Sequence, residues 1–412
     1  MGLEFEGATD NISERQLSFI REVLEKRGYK DTKVTIDAVG EAADNFVAFV
    51  KRIIVRDDNG EFRMIAKFAP QIEIHRMSTQ SENLFKNEHI IYTVVLPKFQ
   101  QLEEEANVPQ EERLRFAECY GSLSEPPHEV ILLEDLRVPD FIMLDRFKSL
   151  PEECIRSVLR NFATLHSLSF ALKHKDLNTF NVLKNDFFDL WASMDGGAEA
   201  FAYFSQLENS AASIVEGEER KKLLKGCIVQ ALAATTKMSK QDEDSKHSII
   251  QQGDSWTNNI MFKFDRDTLQ ESVMIDYQLS KVSNPCCDIM YLIFNCTDHK
   301  TRLQHFHDWV NYYHYELVKA LSNFGLEANV YPREQLDVDM RRYGRIMFGL
   351  SLILASVTLL KSDDASRMKA AIEKTIDLNE LYQIPNSDEE FTLMFRKRVE
   401  GLVDSFVHFE LL

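Results

Sequence analysis

The strongest constraint in this chain lies between Ser248 and Ile293, SIIQQGDSWTNNIMFKFDRDTLQESVMIDYQLSKVSNPCCDIMYLI. Two short apolar runs, Ser248–Ile250 and Val273–Ile275, each deliver a carboxylate at their C-terminal end. The first leads through Gly253 to Asp254, with Asn259 five residues on, and the second ends in Asp276. Polar turn material around Asp265–Glu271 separates them, so the stretch reads as strand, loop, strand. Two carboxylates and an amide on adjacent strand ends suit phosphoryl transfer to a hydroxyl. One carboxylate orients the acceptor OH, while the amide and the second carboxylate hold Mg²⁺ against nucleotide phosphates.

The 412 residues are enough for two or three domains, or for one large two-lobed enzyme. A net charge of −18 leaves no domain-scale basic surface for phosphate backbones, which argues against a nucleic-acid partner. The six cysteines are scattered with no CxxC pair, and adjacent Cys286 and Cys287 make a poor disulfide framework. They read as reduced thiols in a cytoplasmic protein without structural zinc. MGLEFEGATD lacks the basic and apolar regions of a signal peptide, and Glu6 stands where a myristoylation site carries Ser or Thr. The longest apolar run, Ile346–Leu360, is shorter than the ~20 residues of a membrane span and reads as a buried core helix, so no membrane partner is expected.

The rest of the chain supplies the other half of a phosphotransferase. Ser13 to Arg27 is an amphipathic helix that opens on a Ser13/Gln16 capping box. The period then changes to two, predicting strands Val34–Val39, Asn45–Arg56 and Phe62–Phe68, the last two joined at Asp57–Gly60. Lys67 sits inside the third strand. It reads equally as a lysine guarding a sheet edge or as one facing a cleft. A helix follows over Ser81–Leu96, closed by Pro97, with Glu88 in its middle; a strand lysine that holds phosphates needs such a glutamate. Strands are predicted at Leu114–Tyr120 and Val130–Leu133 around a Gly121–His128 turn. A connector, Glu134–Pro139, then leads into a mostly helical remainder from Pro151. His166 reads there as a buried hydrogen-bonding residue, and the aromatic group Phe187, Phe188, Trp191, Phe201, Tyr203 and Phe204 as core or acceptor contacts. Helices are predicted over Pro151–Lys173, Asp288–Phe294, Lys300–Phe324, Arg333–Leu360, Asp363–Ile376 and Phe391–Phe409.

GDSWTNNIMFKFD, IDYQLS and NPCCDIMYLI together closely resemble the ecdysteroid-kinase-like (CHK-type) family of small-molecule kinases, relatives of choline kinases and aminoglycoside phosphotransferases. IAKFAP, LFKNEHIIYTVVLPKF, VILLEDL, MLDRFKSL and LRNFATLHSLS extend the resemblance from about Val34 to Leu360. It implies an α+β, two-lobed protein-kinase-like fold. Residues 1–137 would form a small antiparallel β-sheet nucleotide-binding lobe with one main helix. Residues 138–412 would form a large, mostly helical catalytic and acceptor-binding lobe.

The resemblance also implies roles and partners. Asp254 is the catalytic aspartate, Asn259 and Asp276 are metal ligands, and Lys67 contacts the α/β-phosphates paired with Glu88. Gly40 belongs to the phosphate-covering segment, Glu134 and Leu136 offer backbone groups to adenine, and Asp288 supports the catalytic loop. ATP and Mg²⁺ are the implied cofactors, and a small-molecule alcohol, an ecdysteroid or similar hydroxylated compound, the implied acceptor. The chain departs from the family pattern at Gln252 (usually His), Tyr277 (commonly Phe), Ala43 (usually a second glycine) and Ala48 (commonly Ser). A lost glycine narrows the backbone angles open to a phosphate-covering loop. Two other readings stand beside this one: a non-catalytic ligand-binding relative, and a choline- or aminoglycoside-type kinase. Only twelve residues separate Asp276 from Asp288, too few for a long activation segment.

Overall fold

The computed structural model describes residues 2–40, 47–58, 60–194, 197–242, 245–372, 374 and 389–412. The period-two region folds as expected into a sheet. Its strands are β1 (Glu4–Gly7), β2 (Lys33–Ala38), β3 (Phe49–Asp57), β4 (Gly60–Phe68), β5 (Cys119–Leu123) and β6 (Val130–Glu134), in the order β1-β2-β3-β4-β6-β5. Every pair is antiparallel except β1 with β2. The sequence did not announce β1, a four-residue edge strand with no buried position. Gly7 ends it at φ 94°, where a Cβ would stand 2.4 Å from the Ile36 carbonyl oxygen.

Helix α1 (Glu14–Lys26) covers one face of the sheet, and the Ser13/Gln16 capping box is present. Ile20, Val23 and Leu24 pack there with Ile36, Ile53, Met64, Ala66 and Phe68. Because side chains alternate along a strand, Lys67 between Ala66 and Phe68 points to the opposite face. That face is not a solvated edge, since Lys67 is 6% exposed.

Helices α2 (Glu73–Thr79) and α3 (Ser81–Ile90) lead to a π-helical turn at Ile91–Val95 and then α4 (Leu96–Glu105). Pro97 therefore does not close the expected helix. It lies in the first turn of α4, where its missing N–H costs nothing. The ring and missing donor disturb the turn before it, which widens so that Leu96 N–H reaches the Ile91 carbonyl. The strand expected at Leu114–Tyr120 is shifted to Cys119–Leu123, so Gly121, Ser122 and Leu123 are strand and not turn. The amide of Leu114 is taken by the buried Glu103 carboxylate at 2.8 Å, which removes it from any ladder.

After the connector and β7 (Phe141–Ile142), the remainder is mostly helical. Its first helices are α5 (Glu152–Lys175), α6 (Leu177–Asp186), α7 (Leu190–Ser193), α8 (Ala198–Ile214), α9 (Glu218–Leu224) and α10 (Cys227–Asp242). Four strands follow: β8 (Ile249–Ile250), β9 (Ile260–Asp265), β10 (Thr268–Met274) and β11 (Val282–Ser283). The last helices are α11 (Pro285–Cys296), α12 (His299–Ser322), α13 (Arg333–Thr358), α14 (Ser362–Ile372) and α15 (Glu389–His408).

The strand–loop–strand reading needs correction here, because the two apolar runs do not pair with each other. β8 pairs with β11, whereas β10 forms a hairpin with β9, which also pairs with β7. IMFKFD alternates well enough to be the true partner of β10, and the turn contracts to Arg266–Asp267, with Arg266 at φ 54°. Ile346–Leu360 falls largely within α13, many of whose side chains are buried, as a core helix requires. Among the described residues no single helix is long and apolar enough to cross a membrane. The whole is a two-lobed α+β architecture, with a sheet lobe at the N-terminal end and a helical lobe after the connector.

Candidate active site

The site is assembled where β8 ends, β10 ends and α3 passes behind β4. Lys67 Nζ lies 2.5 Å from Glu88 Oε2 and 3.0 Å from Asp276 Oδ1, so one buried ammonium is held between two carboxylates. Burial alone would depress its pKa, but Asp276 and Glu88 more than offset that and raise it. The second Glu88 oxygen accepts from Tyr277 N–H at 3.3 Å, which ties α3 to the turn after β10.

The loop after β8 is pinned from below. Asp288, in the first turn of α11, accepts from the Gln252 and Gly253 amides, both at 2.9 Å. His166 stands 3.1 Å from Asp288 and 2.7 Å from the Tyr313 hydroxyl, both within a buried cluster. Gly253 adopts φ 87°, and a Cβ would meet the Leu279 carbonyl oxygen at 2.3 Å, so this turn demands glycine.

Gln252 explains its own departure from histidine. Its Oε1 accepts from the Asp254 amide at 2.6 Å and the Ser255 hydroxyl at 2.7 Å. Its Nε2 donates to the Ile275 and Asp276 carbonyls at 3.0 and 2.9 Å. One carboxamide thus uses both donors and both acceptor sites to join the loop of Asp254 to the end of β10.

Asp254 is nearly buried. Burial, with the nearby Asp276 charge, raises its pKa well above the usual carboxylate range. Its Oδ2 accepts from Asn259 Nδ2 at 2.9 Å and its Oδ1 from the Tyr291 hydroxyl at 2.6 Å. The 3₁₀ turn Thr257–Asn259 brings Asn259 back under Asp254, whose backbone oxygen it also contacts at 3.0 Å.

Asp276 adopts the left-handed conformation at φ 60°. Its buried Oδ1, although near Lys67, receives no well-formed hydrogen bond. With the Asn259 amide nitrogen turned to Asp254, Asn259 Oδ1 and the Asp276 carboxylate are hard oxygen donors. They are of the kind that suits Mg²⁺ completing its shell with water and phosphate oxygens. Among the described residues no group of three or more His, Cys, Asp or Glu could hold a metal.

Lys67, Glu88, Asp254, Asn259 and Asp276 therefore converge. Glu134 and Leu136 lie at the exit of β6, the strand paired with β4. The Glu134 amide donates to Glu118, and the Leu136 carbonyl accepts from Phe141 N–H at 3.0 Å. Gly40 follows β2 at φ 80°, and Ala43 lies outside the described residues.

Three features escaped the sequence reading. Tyr291 was legible in principle, being three residues after Asp288 on one helix face. An ion pair between the half-buried Arg52 and the buried Asp135, at 2.5 Å, fixes the connector to β3. A small, partly open cleft lies beside Gly253 and Tyr291. Trp191, Met238, Tyr343, Ile346, Met347 and Leu350 give it an apolar wall. Of the six aromatic residues marked for acceptor contacts only Trp191 lines it, while Tyr203 and Phe204 are core. The charged groups at its edge are occupied: Lys281 pairs with Asp189 at 2.6 Å, and Asp288 holds the loop.

A lysine–glutamate pair under a sheet, facing an Asp/Asn/Asp group on a helical lobe, defines a kinase-like class of protein. The chain belongs to the ecdysteroid kinase-like family, whose model matches residues 42–326. Among curated protein sequences none is a significant match. Similar solved structures include a Plasmodium vivax ethanolamine kinase, at 13% identity and a TM-score of 0.39, covering 90% of this chain and 81% of that one. Wild-type aminoglycoside 2'-phosphotransferase-IIIa, as its GDP complex, shares 10% identity at a TM-score of 0.40, with 95% and 99% covered. A putative fructosamine-3-kinase from Haemophilus somnus shares 14% at 0.34, with 93% and 96% covered. These likenesses are too distant to carry an argument about chemistry.

Proposed function

We propose that this protein is a small-molecule kinase that transfers the γ-phosphoryl group of ATP to a hydroxyl. The observation that carries this reading is the buried placement of Lys67 between Glu88 and Asp276, beside an Asp254 fixed by two donors. Lys67 would hold the α/β-phosphates, and Glu88 would fix its rotamer. The backbone of Glu134 and Leu136 would meet the adenine edge. Gly40 would begin the phosphate-covering segment. Asn259 and Asp276 would hold Mg²⁺, which when bound supplies charge neutralisation on the phosphates. Asp254 would align the acceptor hydroxyl and take its proton as the oxygen attacks.

The cleft beside Gly253 and Tyr291, next to the loop of Asp254, supports an apolar, hydroxylated acceptor of the ecdysteroid kind. One wall is aromatic and aliphatic, Thr235, Ser239, Gln251 and Ser283 add polar groups suited to hydroxyls, and the one lining carboxylate, Asp288, is already engaged by the Gln252 and Gly253 amides. We further propose a lobe boundary at Arg137 and Val138. The location is proposed to be cytoplasmic, supported by six cysteines of which none forms a disulfide.

The test is Mg·ATP turnover by purified protein over a panel of hydroxylated compounds, run beside Asp254→Ala and Asp276→Ala. Phosphorylation of a panel member that both substitutions reduce at least a thousandfold is expected. Turnover retained by either variant, or none by the wild type, overturns the reading.

A further inference from the structure

We infer that Asn87 mechanically links the wall of the acceptor cleft to the nucleotide-handling pair, so that the two sites report on each other. The inference rests on reading the cleft as the acceptor site.

Asn87 immediately precedes Glu88 on α3 and is fully buried. Its side chain makes three hydrogen bonds, none within its own helix. The Phe188 amide donates to Oδ1 at 2.8 Å, and Nδ2 donates to the Phe188 carbonyl at 2.9 Å. Nδ2 also donates to the Gln278 carbonyl at 3.0 Å, two residues past Asp276. A carboxamide that takes both backbone groups of one residue behaves like a strand partner, and it fixes that segment in both distance and direction.

The segment so held, residues 187–194, is the strap that forms one side of the cleft. Asp189 caps α7 by accepting from Ala192 N–H at 3.1 Å, and its other oxygen pairs with Lys281 at 2.6 Å. Thr236 on α10 reaches the Ala192 carbonyl at 3.2 Å. Trp191, between these anchors, lines the cleft. A body filling the cleft presses on Trp191, and the strap passes that displacement to α3 through Phe188. Any rotation of α3 moves the Glu88 carboxylate against Lys67. The Gln278 bond carries the same displacement to the turn bearing Asp276. Coupling of this kind is reciprocal: what the acceptor does to the nucleotide site, the nucleotide does to the strap.

A purely local packing role for Asn87 predicts no transmission, and hydrogen–deuterium exchange on the full chain separates the two. Without nucleotide, Asn87→Ala raises exchange over residues 187–194 at least tenfold. Lys281→Met, which releases Asp189 next to Phe188 in the strap, raises exchange over residues 84–90 of α3 at least threefold when Asn87 is intact. It does not do so in the Asn87→Ala background. A saturating non-hydrolysable Mg·ATP analogue slows strap exchange at least threefold in the wild type and leaves it unchanged in Asn87→Ala. The inference is overturned if Lys281→Met stays confined to the strap, or if the strap of Asn87→Ala still responds to nucleotide. Should Asn87→Ala not fold, the Lys281→Met experiment in the intact background decides alone. Failure to bind any Mg·nucleotide defeats the kinase reading, while the nucleotide-free measurements still decide the coupling.

Discussion

The Tyr291 hydroxyl donates to Oδ1 of Asp254 at 2.6 Å, from a helix whose first turn also holds the Asp254 loop through Asp288. With Asn259 on Oδ2, the carboxylate cannot rotate without breaking a buried hydrogen bond. Tyr291→Phe removes one restraint and keeps the ring. Activity is expected to fall roughly 10- to 100-fold in kcat, with KM for ATP within about twofold, as befits a group acting on alignment and not on nucleotide binding. Steady-state kinetics with the alcohol turned over best checks this. An unchanged kcat would remove Tyr291 from the site.

Lys67 and Glu88 form a buried pair, so truncating one partner leaves the other uncompensated. Glu88→Ala should destabilise the fold by about 3–5 kcal/mol, discounted to the extent that Asp276 takes over as partner to Lys67. The same substitution should raise KM for ATP, and a double-mutant cycle with Lys67→Met measures the coupling. Additive effects would show that the two do not act as a unit.

Gln252 satisfies four partners across two loops. Gln252→Ala is expected to cost about 2–4 kcal/mol in stability, measured by denaturant unfolding, because four buried groups lose their bonds at once. Gln252→Glu cannot donate to the Ile275 and Asp276 carbonyls and should be no better tolerated. Wild-type stability in Gln252→Ala would contradict the joint.

Glu103 offers a pH test away from the chemistry. Burial raises its pKa to about 7, against the lowering effects of the Leu114 amide and Arg113. Its folded pKa exceeds the unfolded value, so between about 4.5 and 7 the folded state binds more protons, and stability falls as pH rises through that window. Glu103→Gln keeps an acceptor for Leu114 and removes the titration. Its Tm should fall less than the wild type's between pH 5 and 7.5, a relative gain of about 1–3 kcal/mol at the upper end. Parallel Tm curves for the two proteins would refute this.

Local pattern revealed much of the fold. Period two placed β2, β3, β4 and β6, and the capping box placed α1, because these depend on neighbours in sequence. The errors arose where distant groups intervened. The Leu114 amide went to Glu103, β8 found β11 in place of β10, and β1 exists only because β2 offered it an edge. Pro97 was read as a stop, although a proline after a widened turn begins a helix as readily as it ends one.

The sequence by itself determined which residues were available for phosphoryl transfer. A lysine in a strand, a glutamate in the next helix and an Asp/Asn/Asp group beside short strands are statements about residue type and order. Tertiary structure alone decided how they are held. Tyr291 on Asp254, Asn87 on the strap, Arg52 on the connector and the cleft under α13 join residues that lie from 37 to 101 positions apart or more. Of these, only the Asn87 contacts cross from one lobe to the other, the rest joining distant segments within a lobe, and no local period along the chain encodes which buried donor will meet which acceptor.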